Sequence, residues 1–538
     1  MTATAAEAAA PAKAPSVLRS GALMAAGSLV SRATGFVRSA VVAAAIGTGL
    51  VADGYAVGNS VPTIVYMLLL GGALNAVFVP ELVKAAKEHE DGGAAYTDRL
   101  LTVCAIALTV LTAVAVLAAP AIVDGYTGYT GAQRELTVAF ARSCLPQIFF
   151  LGLFTLLGQV LNARGRFGAM MWTPVLNNVV VVAVFGLFLA VSAGGGLTPG
   201  ETALLGWGTT AGIALQALAL VPSLKAAGFR WRPRFDWRGS GLTAPLKSAG
   251  WLVLLVLTNQ AAYWVTTKIA TAAGQRAEGA GLSAYNNAYL LWAVPHGIVT
   301  VALVTALLPR MSGAAAEGDL AGVRRDVGYA QRTTMAAIVP AACALFALAV
   351  PLIATVFQYG VTDADAVRSM AWILMALAPG LIALSGQYVC TRAFYALRDT
   401  RTPFFLNLVI AGLNALLAVG AYAVLPARWA VTGMAAGYSL ALWTGWGLTA
   451  YVLGRRLAGA GATPGSGGAL LRLLVAALPA AGFALLVADA AKGAGSVLSG
   501  LAGALAVLAV FALLARPLRL TEVQALMTST AGRLARNR

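Results

Sequence analysis

Long apolar segments recur along nearly the whole chain, and short polar or charged stretches separate them. A run of about twenty apolar residues is long enough for a helix to cross the roughly 30 Å hydrocarbon core of a bilayer. A membrane barrel would instead show alternating segments of about ten residues. The pattern therefore predicts an all-α polytopic membrane protein with about fourteen transmembrane helices. The predicted spans lie near residues 21–46, 55–82, 100–122, 137–161, 170–191, 203–223, 248–271, 285–308, 334–357, 370–395, 404–425, 429–453, 470–488 and 496–515.

The two halves of this pattern resemble each other. Pro62 and Pro295 are 233 residues apart, and so are Pro146 and Pro379. Around the second pair, "LPQIFFLGLFTLLGQVLNARGRF" and "APGLIALSGQYVCTRAFYALRDT" each read as an apolar span opened by Pro and closed by an Arg-containing turn. Six predicted helices separate the paired elements, and an even number makes the repeats parallel. Two parallel six-helix lobes plus two C-terminal helices are the predicted architecture.

The predicted boundaries follow from these lobes and from the composition between them. The stretch "AGAGATPGSGG" has the Gly, Pro and Ser content of a flexible linker and separates the last two helices. The predicted segments are a cytoplasmic N-terminal tail (1–20), an N-lobe of helices 1–6 (21–224), a basic cytoplasmic linker (225–247), a C-lobe of helices 7–12 (248–457), the flexible linker (458–468), helices 13–14 (469–515) and a basic cytoplasmic tail (516–538).

Charge is scarce and unevenly placed. Only 11% of the 538 residues are charged, and the mean hydropathy is +0.80. The net charge of +17 comes from Lys and Arg that lie mostly in one alternate set of loops. The opposite set holds five: Arg134, Arg276, Arg368, Arg428 and Lys492. This asymmetry is the positive-inside rule, which predicts that both termini are cytoplasmic, and it explains the basic excess without a nucleic-acid partner.

Cations enter the predicted spans, whereas all twenty Asp and Glu residues lie in loops, tails or helix ends. Arg32 lies about 16 Å from the inner end of the first span, and Arg38 follows it in the same span. Two arginines without a mid-membrane carboxylate indicate an anionic ligand in a hydrated cavity. Their spacing puts them on different helical faces unless the helix breaks at Gly35. Snorkelling to the nearest interface is the alternative for both.

Lys268 lies deep in the seventh predicted span, the counterpart of the first in the other repeat. In a two-lobed transporter both helices would border the central cavity, so Lys268 is a candidate third cation for an anionic ligand. The alternative is a structural lysine that reaches the outer interface. Tryptophans near predicted span ends are expected at the membrane interfaces: Trp172, Trp231, Trp237, Trp292 and Trp429.

Catalytic motifs do not occur in the sequence. It has no His/Cys/Asp cluster with metal-ligand spacing, no nucleophile–base motif and no P-loop. The four cysteines lie in predicted spans with no disulfide or metal spacing, which is typical of packing residues. We therefore expect a transporter rather than an enzyme, with no cofactor and no metal.

Several segments together resemble the MurJ/MviN lipid II flippases, of the multidrug/oligosaccharidyl-lipid/polysaccharide exporter superfamily. They are "SLVSRATGFVRSAVVAAAIGTGLVADGYAVGNSVPTIV", "LPQIFFLGLFTLLGQVLNARGRFGAMMWTPVLNN", "VPHGIVTVALVTALLPRMS", "VFQYGVTDAD" and "RAFYALRDTRTP". The resemblance implies two six-helix lobes and two extra helices that form a lipid-facing groove. It also implies movement of an undecaprenyl-pyrophosphate-linked disaccharide pentapeptide from the inner to the outer leaflet of the bacterial cytoplasmic membrane.

The resemblance also implies site residues. First-helix arginines of the family contact the pyrophosphate, and Arg32 and Arg38 occupy those positions; Ser31 and Asp53 match as well. Other family positions differ here. Tyr66 and Met67 replace a second-helix arginine pair, Gly71 a nearby Glu, Leu290 an eighth-helix arginine and Thr266 a seventh-helix acidic residue linked to sodium. These differences leave cation coupling and headgroup identity open.

Lipid II flipping by alternating access is the first hypothesis. A flippase or exporter of another polyprenyl-linked glycan or amphiphile is the alternative with the same architecture. A polytopic cell-wall synthase or a membrane scaffold is the alternative from a different class. The expected partners are the polyprenyl-pyrophosphate-linked glycan lipid, membrane lipids, and cell-wall synthesis or division proteins.

Overall fold

The computed structural model describes residues 17–67, 94–166, 168–192, 196–236, 250–277, 281–458 and 466–524, together with residues 82, 85, 91 and 93. Throughout this part of the chain the only regular secondary structure is helical. Several predicted segments fall partly or wholly outside it: most of the N-terminal tail, Gly71 and the inner half of the second span, much of the basic linker, the flexible linker, and most of the C-terminal tail.

Nineteen α-helices are described. Those of the predicted N-lobe are α1 (Val17–Ile46), α2 (Leu50–Tyr66), α3 (Ala94–Leu117), α4 (Ala119–Tyr126), α5 (Gly131–Cys144), α6 (Gln147–Ala163), α7 (Gly168–Val191), α8 (Pro199–Leu218) and α9 (Val221–Ala226). Those of the predicted C-lobe are α10 (Gly250–Arg276), α11 (Leu282–Pro295), α12 (Val301–Ala316), α13 (Leu320–Ala347), α14 (Ala349–Phe357), α15 (Ala364–Ala396), α16 (Arg401–Val424) and α17 (Ala427–Arg456). The last two are α18 (Ser466–Ala490) and α19 (Ser496–Ala515).

Ten of the described helical units are long and apolar enough to cross a membrane, and the bent pair α13–α14 makes an eleventh. Three other predicted spans correspond to α2, α10 and α17. The described part of α2 is 17 residues long, whereas α10 and α17 have 27 and 30 residues but interrupt their apolar sequence with Asn, Gln, Thr, Tyr and Trp. The all-α multi-span class is confirmed, and the total of fourteen stays a prediction.

The duplication is visible in the helix boundaries. The unit Gly131–Ala163 and helix α15 both have 33 residues, and their first and last residues are 233 positions apart. Helices α7 and α16 both have 24 residues and the same offset, and α1 and α10 also begin 233 residues apart. Pro146 and Pro379 lie in the interior of their spans, so the reading of spans opened by Pro is wrong although the offset is right.

Two spans expected to be straight are interrupted. The third predicted span consists of α3 and α4 with a break at Ala118, and the ninth consists of α13 and α14 with a break at Leu348 and a bend of 76°. Pro120 and Pro351 lie in the first turns after these breaks. Proline is tolerated in a first helical turn, where its missing N–H would have no helical partner. The broken span therefore recurs at the same place in both repeats.

Part of the basic linker is held against the N-lobe. Residues 229–236 run without regular secondary structure along α3. The backbone N–H of Arg232 donates to an Asp98 carboxylate oxygen (3.0 Å), and that of Arg234 donates to the Thr102 hydroxyl (3.1 Å). Asp236 forms an ion pair with Arg99, and this hydrogen bond lowers the pKa of the Asp236 carboxyl. The arm is therefore a fixed part of the predicted cytoplasmic surface.

We predict the topology by labelling single cysteines in a background without the four native thiols. A membrane-impermeant maleimide added to intact cells should label Asp363→Cys, in the loop before α15, and should not label Arg234→Cys until the membrane is permeabilised. The physical reason is the Lys and Arg asymmetry of the loops. Labelling of Arg234→Cys in intact cells would contradict the predicted orientation.

Candidate functional site

A cavity of about 680 Å³ lies between the two lobes at mid-depth in the bundle. Helix α2 provides one wall, and α10, α11, α15, α16 and α17 provide the others. The lining residues are Asn59, Ser60, Thr63, Ile64, Met67, Asn259, Gln260, Ala262, Tyr263, Thr266, Tyr285, Asn286, Tyr289, Leu384, Gln387, Asn407, Ile410, Ala411, Asn414, Tyr438 and Leu442. Polar faces of α2, α10 and α17 thus point into this space, which explains their low apolar content.

The described lining of the cavity contains no ionisable Lys, Arg, His, Asp or Glu side chain. Its polarity comes from seven side-chain amides, three aliphatic hydroxyls and four tyrosines. Amides and hydroxyls both donate and accept hydrogen bonds without carrying charge. The cavity is therefore hydrated and neutral, whereas the sequence had led us to expect cations around it.

Few of the cavity amides are fully paired within the protein. Asn407 donates to the Asn259 side-chain oxygen at 3.0 Å, which links α16 to α10. Gln147 donates to the Asn59 side-chain oxygen at 3.3 Å. The Gln387 Oε1 atom is inaccessible to solvent and has no hydrogen-bond donor among the described residues. A buried amide oxygen without a donor is energetically unfavourable unless a ligand or water supplies one.

Aromatic rings form the outer part of the cavity wall. The rings of Tyr285 and Tyr289 are stacked with centroids 6.2 Å apart, and Tyr289 packs at 5.1 Å on Trp292. Trp292 is fully buried and contacts the Tyr438 ring at 5.9 Å. Its predicted role at the membrane interface is therefore wrong: in the structure it supports the tyrosines of α11 and α17.

Arg32 lies where the lobes meet. Its guanidinium is packed against Gly297, so that a Cβ atom there would lie 2.7 Å from the Arg32 Nη1 atom. Gly297 belongs to a single π-helical turn, His296–Thr300, that joins α11 to α12. Such turns are frequent at functional sites. Among the described residues no carboxylate forms an ion pair with Arg32, and its side chain is otherwise exposed.

The other first-helix candidates point elsewhere. Helix α1 is continuous through Gly35, so the suggested break does not occur and does not bring Arg38 onto the face of Arg32. Arg38 is half-buried near Tyr55 of α2, inside the N-lobe. The main-chain carbonyl of Ser31 accepts a hydrogen bond from the Asn178 side chain at 3.0 Å. Ser31 is therefore part of the contact between α1 and α7.

Asp53 is buried at the predicted outer end of the bundle and reaches from α2 to the other lobe. One carboxylate oxygen accepts a hydrogen bond from the Ser283 backbone N–H at 2.7 Å, at the first turn of α11. A carboxylate at a helix N-terminus pairs with free N–H groups and the positive end of the helix dipole. Gly281 contacts the other oxygen so closely that it has no room for a Cβ atom. Asp53 therefore fastens the N-lobe to the C-lobe.

Two further contacts close the same end. The backbone N–H of Val361 donates to the Ala44 carbonyl at 3.0 Å, and the Thr362 hydroxyl donates to the Ala43 carbonyl at 2.9 Å. Gly360 has φ +59 and lies directly against Ala44, so both its backbone conformation and its lack of a side chain are required. The end of α1 is thereby held to the loop before α15, and the structure is closed at its predicted outer end.

Lys268 does not line the cavity. It is exposed on the side of α10 away from Thr266, with its ammonium 5.3 Å from the centre of the Trp264 ring. The Trp264 indole N–H donates to the Gly125 carbonyl at 3.0 Å. The structure thus brings Lys268 to the surface next to α4 and does not bring it together with Arg32.

The positions that differ from the family pattern are spread over several environments. Thr266 and Met67 line the cavity, whereas Tyr66 is hydrogen-bonded to Thr155 of α6. Leu290 does not belong to the cavity lining. Thr266 donates to the Ala262 carbonyl of its own helix at 3.0 Å. The seventh-helix position therefore offers the cavity a neutral hydroxyl in place of a carboxylate.

A family profile described as lipid II flippase MurJ matches residues 42–505 of this chain. A lipid II flippase MurJ of Burkholderia cenocepacia is 31% identical over 70% of this chain and 72% of its own length. A probable lipid II flippase MurJ of Rhizobium meliloti is 28% identical over 77% of this chain and 76% of its own length.

Solved structures show the same architecture. A lipid II flippase MurJ in an inward closed conformation superposes with a TM-score of 0.74 and 17% identity, covering 92% of this chain and 99% of that chain. An inward-facing multidrug resistance transporter of the MATE family superposes with a TM-score of 0.57 and 13% identity, covering 83% of this chain and 96% of that one. At these identities the likeness concerns the fold.

Proposed function

This chain belongs to the lipid II flippase MurJ family, and from that membership we propose that it moves lipid II from the inner to the outer leaflet of the bacterial cytoplasmic membrane. The substrate is a disaccharide pentapeptide joined through a pyrophosphate to a polyprenyl chain. The protein acts as a transporter and performs no covalent chemistry.

The observation that carries this proposal is the position of Arg32. A mid-span cation without a described carboxylate partner lies against the π-helical turn of the opposite lobe. An uncompensated charge at that depth is costly unless an anionic ligand binds it. The pyrophosphate is such a ligand, and the planar guanidinium is suited to hydrogen-bonding two phosphate oxygens at once. We propose Arg32 as the main phosphate contact and Arg38 as a secondary one.

The contacts at the predicted outer end support alternating access. Asp53 and the end of α1 hold the lobes together there, so a substrate in the cavity is separated from the outer side. Outward release then requires these hydrogen bonds to break while the lobes close at the inner end. Each step exchanges a small number of bonds, which keeps the two states close in free energy.

The direct test is the leaflet distribution of lipid II after rapid depletion of the protein. If it is the flippase, lipid II accessible to an externally added probe should fall while total lipid II rises. Re-expression of the wild-type chain should restore the exposed fraction. Unchanged exposure of lipid II after depletion would contradict the proposal and would favour another polyprenyl-linked glycan as the substrate.

We predict that transport depends on membrane potential more than on a sodium gradient. The described cavity lining has no carboxylate to bind a cation, and Thr266 stands at the family's acidic position. An inside-negative potential drives an anion outward with about 2.3 kcal/mol per charge per 100 mV. In proteoliposomes, collapsing the potential should slow flipping several-fold, and removing sodium alone should not. Loss of flipping on sodium removal alone would show an ion site made of neutral oxygens.

A further inference from the structure

The chemistry of the cavity and that of the phosphate contact are different. Arg32 offers a charge, whereas the cavity offers amides, hydroxyls and tyrosine rings and no described ionisable group. A fully charged ligand in such a space would leave bulk water without gaining a counter-charge. A neutral ligand rich in hydroxyl and amide groups would exchange its hydrogen bonds with water for similar bonds with the protein.

One acceptor in the cavity is left for a ligand. The Gln387 Oε1 atom is buried, unpaired among the described residues, and belongs to the lining. Its neighbours across the space include Asn286 of α11 and Asn414 of α16, which can turn either an N–H or a carbonyl group toward a ligand. The rings of Tyr285 and Tyr289 add the flat apolar faces on which sugar rings pack.

The two chemistries are also spaced along one helical unit. Tyr289 lines the cavity, and Gly297, which contacts Arg32, lies eight residues further toward the inner end of the same unit. Eight residues of helix correspond to about 12 Å. A pyrophosphate held by Arg32 would therefore place the first group attached to it at the entrance of the neutral cavity.

We propose that the cavity is a subsite for the uncharged N-acylated sugar portion of the substrate, with Gln387 Oε1 accepting a hydrogen bond from one of its N–H or O–H groups. This inference rests on the proposed function. It assigns recognition of the glycan to the amides and tyrosines, and recognition of the phosphate to Arg32. The cavity then selects among prenyl pyrophosphates by what is attached to the phosphate.

The test compares two ligands on the purified full-length protein in nanodiscs: a farnesyl-chain lipid II analogue and farnesyl pyrophosphate without sugars. For wild type the analogue should bind more tightly. Gln387→Leu should weaken binding of the analogue about tenfold, as expected when a buried hydrogen-bond partner is lost, and leave binding of farnesyl pyrophosphate unchanged. Arg32→Ala should weaken binding of both ligands.

Gln275→Leu is the matched control, because Gln275 is exposed on α10 and outside the cavity lining. Asn286→Ala is a second cavity variant, and thermal unfolding of each variant checks the fold. An equal effect of Gln387→Leu and Asn286→Ala on both ligands, or no effect on either, would overturn the subsite and leave the proposed function intact. Failure of the wild-type protein to bind either ligand would overturn both.

Discussion

Arg32→Ala should reduce lipid II flipping by at least tenfold and should fail to support growth of a strain depleted of the wild-type protein. A hydrogen bond to a charged group contributes about 1.5–3 kcal/mol, which corresponds to roughly ten- to hundredfold in binding. Arg32→Lys should recover only part of the activity, because an ammonium cannot make the paired hydrogen bonds of a guanidinium. Flipping in proteoliposomes and complementation of the depletion strain both measure the effect.

Lys268→Met is the matched control for removing a cation from a span. Its side chain is exposed beside Trp264 and lies off the cavity, so we expect near-normal flipping and growth. Immunoblots of membranes establish that each variant is present at normal abundance. Full complementation by Arg32→Ala at normal abundance would contradict the phosphate contact. Loss of flipping in Lys268→Met would restore that residue to the site predicted from the sequence.

Much of the architecture could be predicted because it depends on composition over long windows. Apolar runs located the spans, and the offset between Pro146 and Pro379 anticipated two units of equal length, Gly131–Ala163 and Ala364–Ala396. The breaks at Ala118 and Leu348 could not be seen in this way. A one-residue interruption hardly changes the mean hydropathy of a twenty-residue segment, and proline in a first turn is compatible with both a straight and a bent span.

The candidate site was predicted less completely. A search for ionisable groups found Arg32, because charge in an apolar run is conspicuous. It missed the cavity wall, which is built from amides such as Asn259, Asn286 and Gln387. Asn and Gln inside apolar spans were the available signal. The place of Lys268 depends on rotation about the helix axis: it is two residues from Thr266, or about 200° around α10, and hydropathy does not report that angle.

Asp53 shows a different limit of sequence reading. Its position matched the family pattern, which suggested contact with substrate, whereas the structure uses its carboxylate to cap α11 across the lobe interface. The partners are 230 residues apart. Only the folded arrangement of the two repeats brings them together, so no local sequence signal identifies the contact.

Gly281→Ala should open the predicted outer end of the protein. The backbone of Gly281 has φ −99, which any residue can adopt, so the substitution acts through its new methyl group alone. That methyl group would collide with the Asp53 carboxylate and displace it from the Ser283 N–H. Losing a charged hydrogen bond and its helix-dipole interaction shifts the balance between closed and open states by about 1.5–3 kcal/mol.

The measurement is the accessibility of a cysteine placed in the cavity. With Asn286→Cys in a background free of native thiols, an impermeant maleimide added from outside should react on the order of tenfold faster once Gly281→Ala is present. Asp53→Asn should have the same effect, because it removes the charge and keeps the shape. Gly125→Ala is the control, since a Cβ atom at that glycine of the same end meets nothing within 4 Å. If both variants were labelled at the control rate, the Asp53 contact would not hold the outer end closed, and the closure would have to be assigned to the hydrogen bonds between the end of α1 and the loop before α15.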